Sequence, residues 1–178
     1  IDNGVQYATD LGMYVIIDWH ILSDGNPLTY KKQSNAFFKE IKNNGISIID
    51  IKYVMASHYH PDHIGLIGEL MKMGIKLIIL ENQLEKVHFS DEIFRRQFDR
   101  FSPIDEQDAT VISFNESRQF LSSIGIQGEI IPTSSHSEDG IALILDDGNC
   151  FVGDLEPMSF ADGYENNVQL KNDWKKIM

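Results

Sequence analysis

The sequence predicts an α/β fold, and three observations carry that reading. Short apolar runs of the kind that form strands buried on both faces recur along the chain. Between them lie stretches whose apolar residues follow helical spacing. Turn residues, glycine above all, mark most changes of period. The chain has 178 residues, 42% of them apolar and 24% charged. That is enough for one soluble domain with a core and too little for two comfortable ones.

Taken in order, residues 3–11 read as a short helix with Val5, Ala8 and Leu11 on one side, stopped by Gly12. MYVIID (13–18) is a continuous apolar run and reads as a buried strand. The loop LSDGNP leads to a helix from about Tyr30, with Phe37, Phe38 and Ile41 inward and Gly45 as its stop. IKYVMAS (51–57) is a second strand. Ile64, Ile67, Leu70 and Met71 keep helical spacing until Gly74, and KLIIL (76–80) is a third strand. Residues 81–102 are charged and amphipathic and read as one or two surface helices. TVISF (110–114), a capped helix over 115–123 and GEIIP (128–132) repeat the rhythm. IALIL and CFVG flank Asp146, Asp147, Gly148 and Asn149, a strong hairpin signal. Leu170, Trp174 and Ile177 give a last amphipathic helix. There is no internal repeat, low-complexity tract or flexible linker.

Composition excludes several classes of function. The net charge of −12 argues against a nucleic-acid binder, which needs a basic face, and favours cations. The longest apolar runs, five or six residues, are too short to span a bilayer. No secretion signal is visible at the front, and Cys150 is the only cysteine, so no internal disulfide forms and a cytoplasmic location is expected. The expected partner is a small-molecule substrate, with neither nucleic acid nor membrane.

Chemistry concentrates at ASHYHPDHIG (56–65), where half of the six histidines stand in six positions beside an aspartate. At a strand end, His58 and His60 would face the same way, because side chains repeat every two residues. Pro61 would then break the ladder and let Asp62 and His63 swing back over the same point. Mixed nitrogen and oxygen donors suit zinc, manganese or ferrous iron. The bland alternative is a solvated, histidine-rich turn that holds no ion. His88, in a charged stretch, is expected to be solvated. Cys150 is expected to be packed, and Asp91, Glu92, Arg95 and Arg96 to form a wet helix face.

S-H-Y-H-P-D-H-I-G resembles the H-x-H-x-D-H signature of the metallo-β-lactamase-fold hydrolases. TSSHSEDG and FVGDL supply the later histidine and aspartate of that pattern, His136 and Asp154. The similarity runs from about Gly45 to the end. It implies an αβ/βα sandwich, here expected to be incomplete at both ends, since early strands and a last histidine are missing. It further implies that His58, His60 and His136 hold one ion, that Asp62 and His63 belong to a second, and that Asp154 bridges them. The expected function is hydrolysis of a small ester, thioester, phosphodiester or lactam by a metal-bound hydroxide, with Asp62 orienting the nucleophile or moving its proton. One ion or two remain open, as do zinc, manganese and iron.

The front of the chain, LGMYVIIDWHILSDGNPLTYKKQSNAFFKEI, resembles a strand, loop and helix of the family five glycoside hydrolases, the endoglucanases. Residues 1–41 are therefore expected to be an endoglucanase-like segment packed as part of the fold, ahead of a metallo-β-lactamase-like domain over 42–178. The segment fits by pattern the strand and helix that precede the histidine strand, with Asp18 a structural residue and His20 a loop residue. Glycoside hydrolysis needs two opposed carboxylates, and the motifs that would supply them are absent: Glu156 stands in DLEPM, preceded by Leu155. A natural fusion, an engineered chimera and an assembly artefact stay open. The rival functions are a cellulase fragment and an inactive metal-binding remnant.

Overall fold

The computed structural model describes residues 38–39, 41–97, 102–161 and 167–178. The expected helix over 3–11, the strand over 13–18, Asp18, His20 and the start of the helix at Tyr30 lie outside the described residues. Residues 38–39 and 41–43 are helical, the end of the helix expected there, and Gly45 follows with φ 72°.

Among the described residues six strands form two sheets. β1 (Tyr53–Met55), β2 (Lys76–Leu80) and β3 (Thr110–Ile112) lie in that order in one; β4 (Gly128–Pro132), β5 (Ile141–Leu145) and β6 (Cys150–Phe151) follow in the other. The helices are α1 (Pro61–Ile64), α2 (Ile67–Lys72), α3 (Asp91–Gln97), α4 (Phe114–Ser123) and α5 (Val168–Ile177). None among the described residues is long and apolar enough to cross a membrane. The described residues fall into two compact units. One reaches to Ile78 and resumes over Val87–Thr110; the other comprises Ile79–Lys86 and Val111–Met178.

In the first unit β1 pairs parallel with the start of β2, Tyr53 opposite Lys76 and Met55 opposite Ile78. A parallel pair needs a crossover, and the chain supplies it as α1 and α2. The helical stretch expected after the histidines is thus two short helices, because the chain re-forms its turn at Gly65 and Leu66. α2 ends where the N–H groups of Gly74 and Ile75 bond back to Met71 and Leu70, with Gly74 at φ 89°. Ile41, Leu70 and Ile75 form a buried cluster joined by Phe38, Ile46, Ile48, Ile51, Val54 and Leu66. Each such side chain contributes about 1.5–3 kcal/mol when fully buried. β2 is buried at Leu77, Ile78, Ile79 and Leu80, as a two-faced strand must be.

The stretch read as surface helices is different. Among the described residues of that stretch only 91–97 is α-helical, and Val87, Ser90, Asp91 and Phe94 are buried. Asp91 therefore does not belong to a wet face. His88 is exposed, as expected, yet its ring is paired: its Nδ1 lies 3.1 Å from Asp91 Oδ2 and its Nε2 2.8 Å from Glu106 Oε2. Sequence spacing could reveal the first contact but not the second, 18 positions away.

In the second unit β4, β5 and β6 make an antiparallel meander, Ile130 opposite Leu143 and Leu143 opposite Phe151. The Asp-Gly hairpin forms where expected, with Gly148 at φ 90° and the Leu145 N–H donating to the Asn149 carbonyl. β6 is shorter than CFVG, and Cys150 is exposed where packing was expected: a two-residue edge strand covers little. α4 begins with the Glu116 carboxylate accepting from the Ser113 N–H and hydroxyl, which lowers the Glu116 pKa. Its Ser117 and Leu121 are buried, and the Ile130 N–H donates to Ser117 Oγ.

The Glu106 hydrogen bond, followed by that of Asp91, raises the His88 pKa above its ordinary value. A raised folded-state pKa stabilises the fold fully below the unfolded value and loses that contribution as pH rises through the folded one. His88 is half exposed, so the effect is small. An NMR titration should place its midpoint above that of a free histidine, and Glu106→Gln should bring it back down.

Candidate metal centre

β1 stops at Met55, earlier than expected, so His58 and His60 lie on a bend beyond the ladder and not on the strand itself. The reason is local. Pro61 has no N–H to continue a ladder and its φ suits the first helical position, so the chain turns at once into α1 with His60 as N-cap. The His63 N–H then donates to the His60 carbonyl at 3.0 Å.

That turn brings the three rings together. His58 and His60 have ring centroids 4.5 Å apart, and His58 and His63 4.1 Å. His58 Nε2 and His60 Nδ1 are separated by 3.0 Å. The two rings are within hydrogen-bond distance there, and two nitrogens bound at about 2.0–2.1 Å to one tetrahedral zinc ion would stand only a little farther apart, about 3.3 Å. The donor atoms of His58 and His63 also approach within 4.8 Å. Asp62, about one-third exposed, has Oδ2 3.8 Å from His63 Nε2.

Neighbours that the sequence reading did not single out hold these rings. Ser57 Oγ lies 3.2 Å from Nδ1 of His58 and 3.4 Å from Nδ1 of His63. A hydroxyl there fixes the far nitrogen of each ring and leaves Nε2 for other work, the usual role of an outer partner at a metal site. Ser90, fully buried, donates its hydroxyl to the Tyr59 carbonyl at 3.0 Å, which pins the residue between His58 and His60. Phe89 is exposed and its ring centroid is 6.4 Å from that of His60. The signal for Ser57 was present in S-H-Y-H; the signal for Ser90, 31 positions from Tyr59, was not.

In the second unit His136 closes a turn after β4, and Asp154 follows Gly153, whose φ is 56°. Their side chains face each other, His136 Nε2 lying 3.7 Å from Asp154 Oδ2. The His136 loop is tightly closed: the Thr133 N–H donates to the Gly140 carbonyl and the Gly140 N–H to the Ser137 carbonyl. A Cβ at Gly140 would lie 2.1 Å from the Thr133 oxygen, so only glycine fits. Both units therefore carry imidazole nitrogen and carboxylate oxygen in close local sets, donor chemistry that fits zinc, manganese or ferrous iron.

Comparison with known proteins bears on the family and the fold. The family model described as Metallo-beta-lactamase superfamily matches residues 25–162, beginning twenty positions ahead of the similarity read from about Gly45. The metallo-beta-lactamase MIM-1 of Novosphingobium pentaromativorans superposes with a TM-score of 0.51 at 16% identity, covering 82% of this chain and 58% of that one. A structure of TTHA1623 in a di-iron-bound form gives 0.58 at 15% identity, covering 81% and 70%. At such identities these likenesses show the fold. The front segment matches differently. An endoglucanase of Clostridium saccharobutylicum is 70% identical over 37 residues, 21% of this chain. Endoglucanase A of Evansella cellulosilytica is 54% identical over 41 residues, 23% of this chain. The chain spans 8% of the length of each of these two relatives.

If Ser57 orients the rings, Ser57→Ala should weaken zinc binding about 10–100-fold with little change in melting temperature. Titration against a chromogenic chelator measures this, and unchanged affinity would remove Ser57 from the site.

Proposed function

The chain belongs to the metallo-beta-lactamase superfamily, and from that premise we propose that it is a metal-dependent hydrolase. The single observation that carries the reading is the 3.0 Å edge between His58 Nε2 and His60 Nδ1, inside the H-x-H-x-D-H pattern. In this reading His58, His60 and His136 hold one ion, Asp62 and His63 contribute to a second, and Asp154 bridges. Bound there, zinc, manganese or iron would supply a Lewis acid and lower the pKa of water. The chain's own part is to fix the donors. Ser57 orients His58 and His63, Ser90 holds the backbone between His58 and His60, and Asp62, partly exposed, would orient the attacking water or move its proton.

The substrate in this reading is a small ester, thioester, phosphodiester or lactam. A fold does not select among them. The net charge of −12 supports a small molecule over a nucleic acid. The endoglucanase likeness covers a fifth of the chain and brings no pair of opposed carboxylates, so it supports cellulose hydrolysis poorly.

Protein purified without chelator should contain one or two ions per chain by elemental analysis. It should also hydrolyse at least one member of a thioester, phosphodiester, lactone and lactam panel. His58→Ala and His60→Ala should each lower that rate by a factor of about 100 or more, a loss in the range of one removed transition-state stabiliser. Protein that takes up no ion would support an inactive remnant whose role is structural. Sugar release from cellulose that survives both substitutions would support the cellulase fragment.

A further inference from the structure

The C-terminal helix α5 carries a carboxylate that the reading above leaves without a task. Asp173 is fully buried, and a buried charge is costly unless it is hydrogen-bonded. Its bonds lead to one place. Asp173 Oδ2 accepts from the Ser135 N–H at 2.8 Å, and Oδ1 accepts from Gln169 Nε2 at 3.1 Å and Lys176 Nζ at 3.0 Å. Gln169 Nε2 also donates to Ser134 Oγ at 2.9 Å, and Lys176 Nζ to the Pro132 carbonyl at 3.0 Å. Every partner either belongs to residues 132–135, the stretch that leads into His136, or reaches that stretch.

We propose that Asp173 is a positioning residue for His136: from α5 it clamps the Ser134–Ser135 turn and thereby fixes the direction of the imidazole. The inference rests on the metal-dependent reading for its purpose, since it assigns His136 an ion to face. The physical argument is independent of that purpose. His136 sits in a turn, about one-third exposed, where no ladder holds its backbone. A charged acceptor on a backbone N–H is about twice as strong as a neutral one, and here it acts on the residue immediately before the histidine. Lys176 and Gln169 fix the carboxylate in turn. The same helix reaches the turn of Asp154, because Leu170 packs on Leu155 and Trp174 Nε1 donates to the Glu156 carbonyl at 2.8 Å. One helix thus orders both local donors of this unit.

Three variants test it: Asp173→Asn, Gln169→Ala, and Leu121→Val, a core change on α4 that serves as the stability control. Amide hydrogen exchange is followed in metal-free protein, and zinc affinity by competition with a chelator. Asp173→Asn should speed exchange at Ser135 about tenfold or more, by freeing a local opening, and weaken zinc binding about 10–100-fold. Gln169→Ala should do the same to a smaller degree, and it carries the test if Asp173→Asn does not fold. Leu121→Val should lower the melting temperature without either effect. Unchanged exchange at Ser135, or zinc affinity that merely follows melting temperature in all three, would overturn the proposal. If the unaltered protein binds no zinc, the metal-dependent reading fails, and the exchange comparison alone then decides the clamp.

Discussion

The candidate site depends on a backbone constraint at Pro61. A proline there cannot extend a ladder, and its fixed φ suits the start of a helix. The chain therefore reverses within one turn, and His63 returns to 4.1 Å from His58. Without that reversal the three imidazoles would be spread along an extended segment. The arrangement is costly by itself: His58 is almost fully buried, and a buried ring nitrogen left without a partner costs about 1–3 kcal/mol. Ser57 answers at the Nδ1 side of two rings, and Ser90 holds the Tyr59 carbonyl from behind. His58 Nε2 and His60 Nδ1 stand within hydrogen-bond distance of each other, 3.0 Å apart, a separation that a shared cation would also suit.

The same logic holds for the His136 loop, by other means. No proline closes it. Its ends are tied by paired bonds between Thr133, Ser137 and Gly140, and Ser137 donates its hydroxyl to the buried Asp139. Gln83, also buried, donates to the Asp139 carbonyl. A histidine in an open turn would sample many directions, and the entropy of fixing it would fall on ion binding. Bonds that fix it beforehand move that cost into folding. Two buried carboxylates, Asp139 and Asp173, bond to this loop, which is the form a preorganised ligand would take on the proposed reading.

How much of this the sequence disclosed follows from the range of each interaction. β2, β4 and β5 were legible to the residue, because a run such as KLIIL or IALIL between turn residues leaves little choice. The Asp-Gly hairpin and α5 were legible for the same local reason. The length of β1 was not, because its end is set by the partner register at Ile78 and by Pro61 together. The charged stretch over 81–102 misled, because Asp91 and Ser90 are buried and the partner of Ser90, the Tyr59 carbonyl, lies 31 positions away. The donors His58, His60 and His63 stood out by density. Asp173 did not: in LKNDWKK it reads as one more polar residue on an amphipathic helix, and only a contact 38 positions away separates it from a solvated carboxylate.

The acidic composition bears on what such a centre would accept. A net charge of −12 enriches cations near the surface and repels polyanions, both by long-range fields that salt weakens. Close to the donors the local chemistry takes over, since charges a few ångströms apart interact far more strongly than those beyond a Debye length. An ion held by imidazoles and carboxylates would keep positive character and so would supply attraction for one carbonyl or phosphoryl oxygen. On the proposed reading, the two effects together would favour a substrate with a single polar group to be attacked and little charge elsewhere. Phe89, exposed beside His60, adds apolar surface at that point, which suits a substrate whose remaining bulk is uncharged.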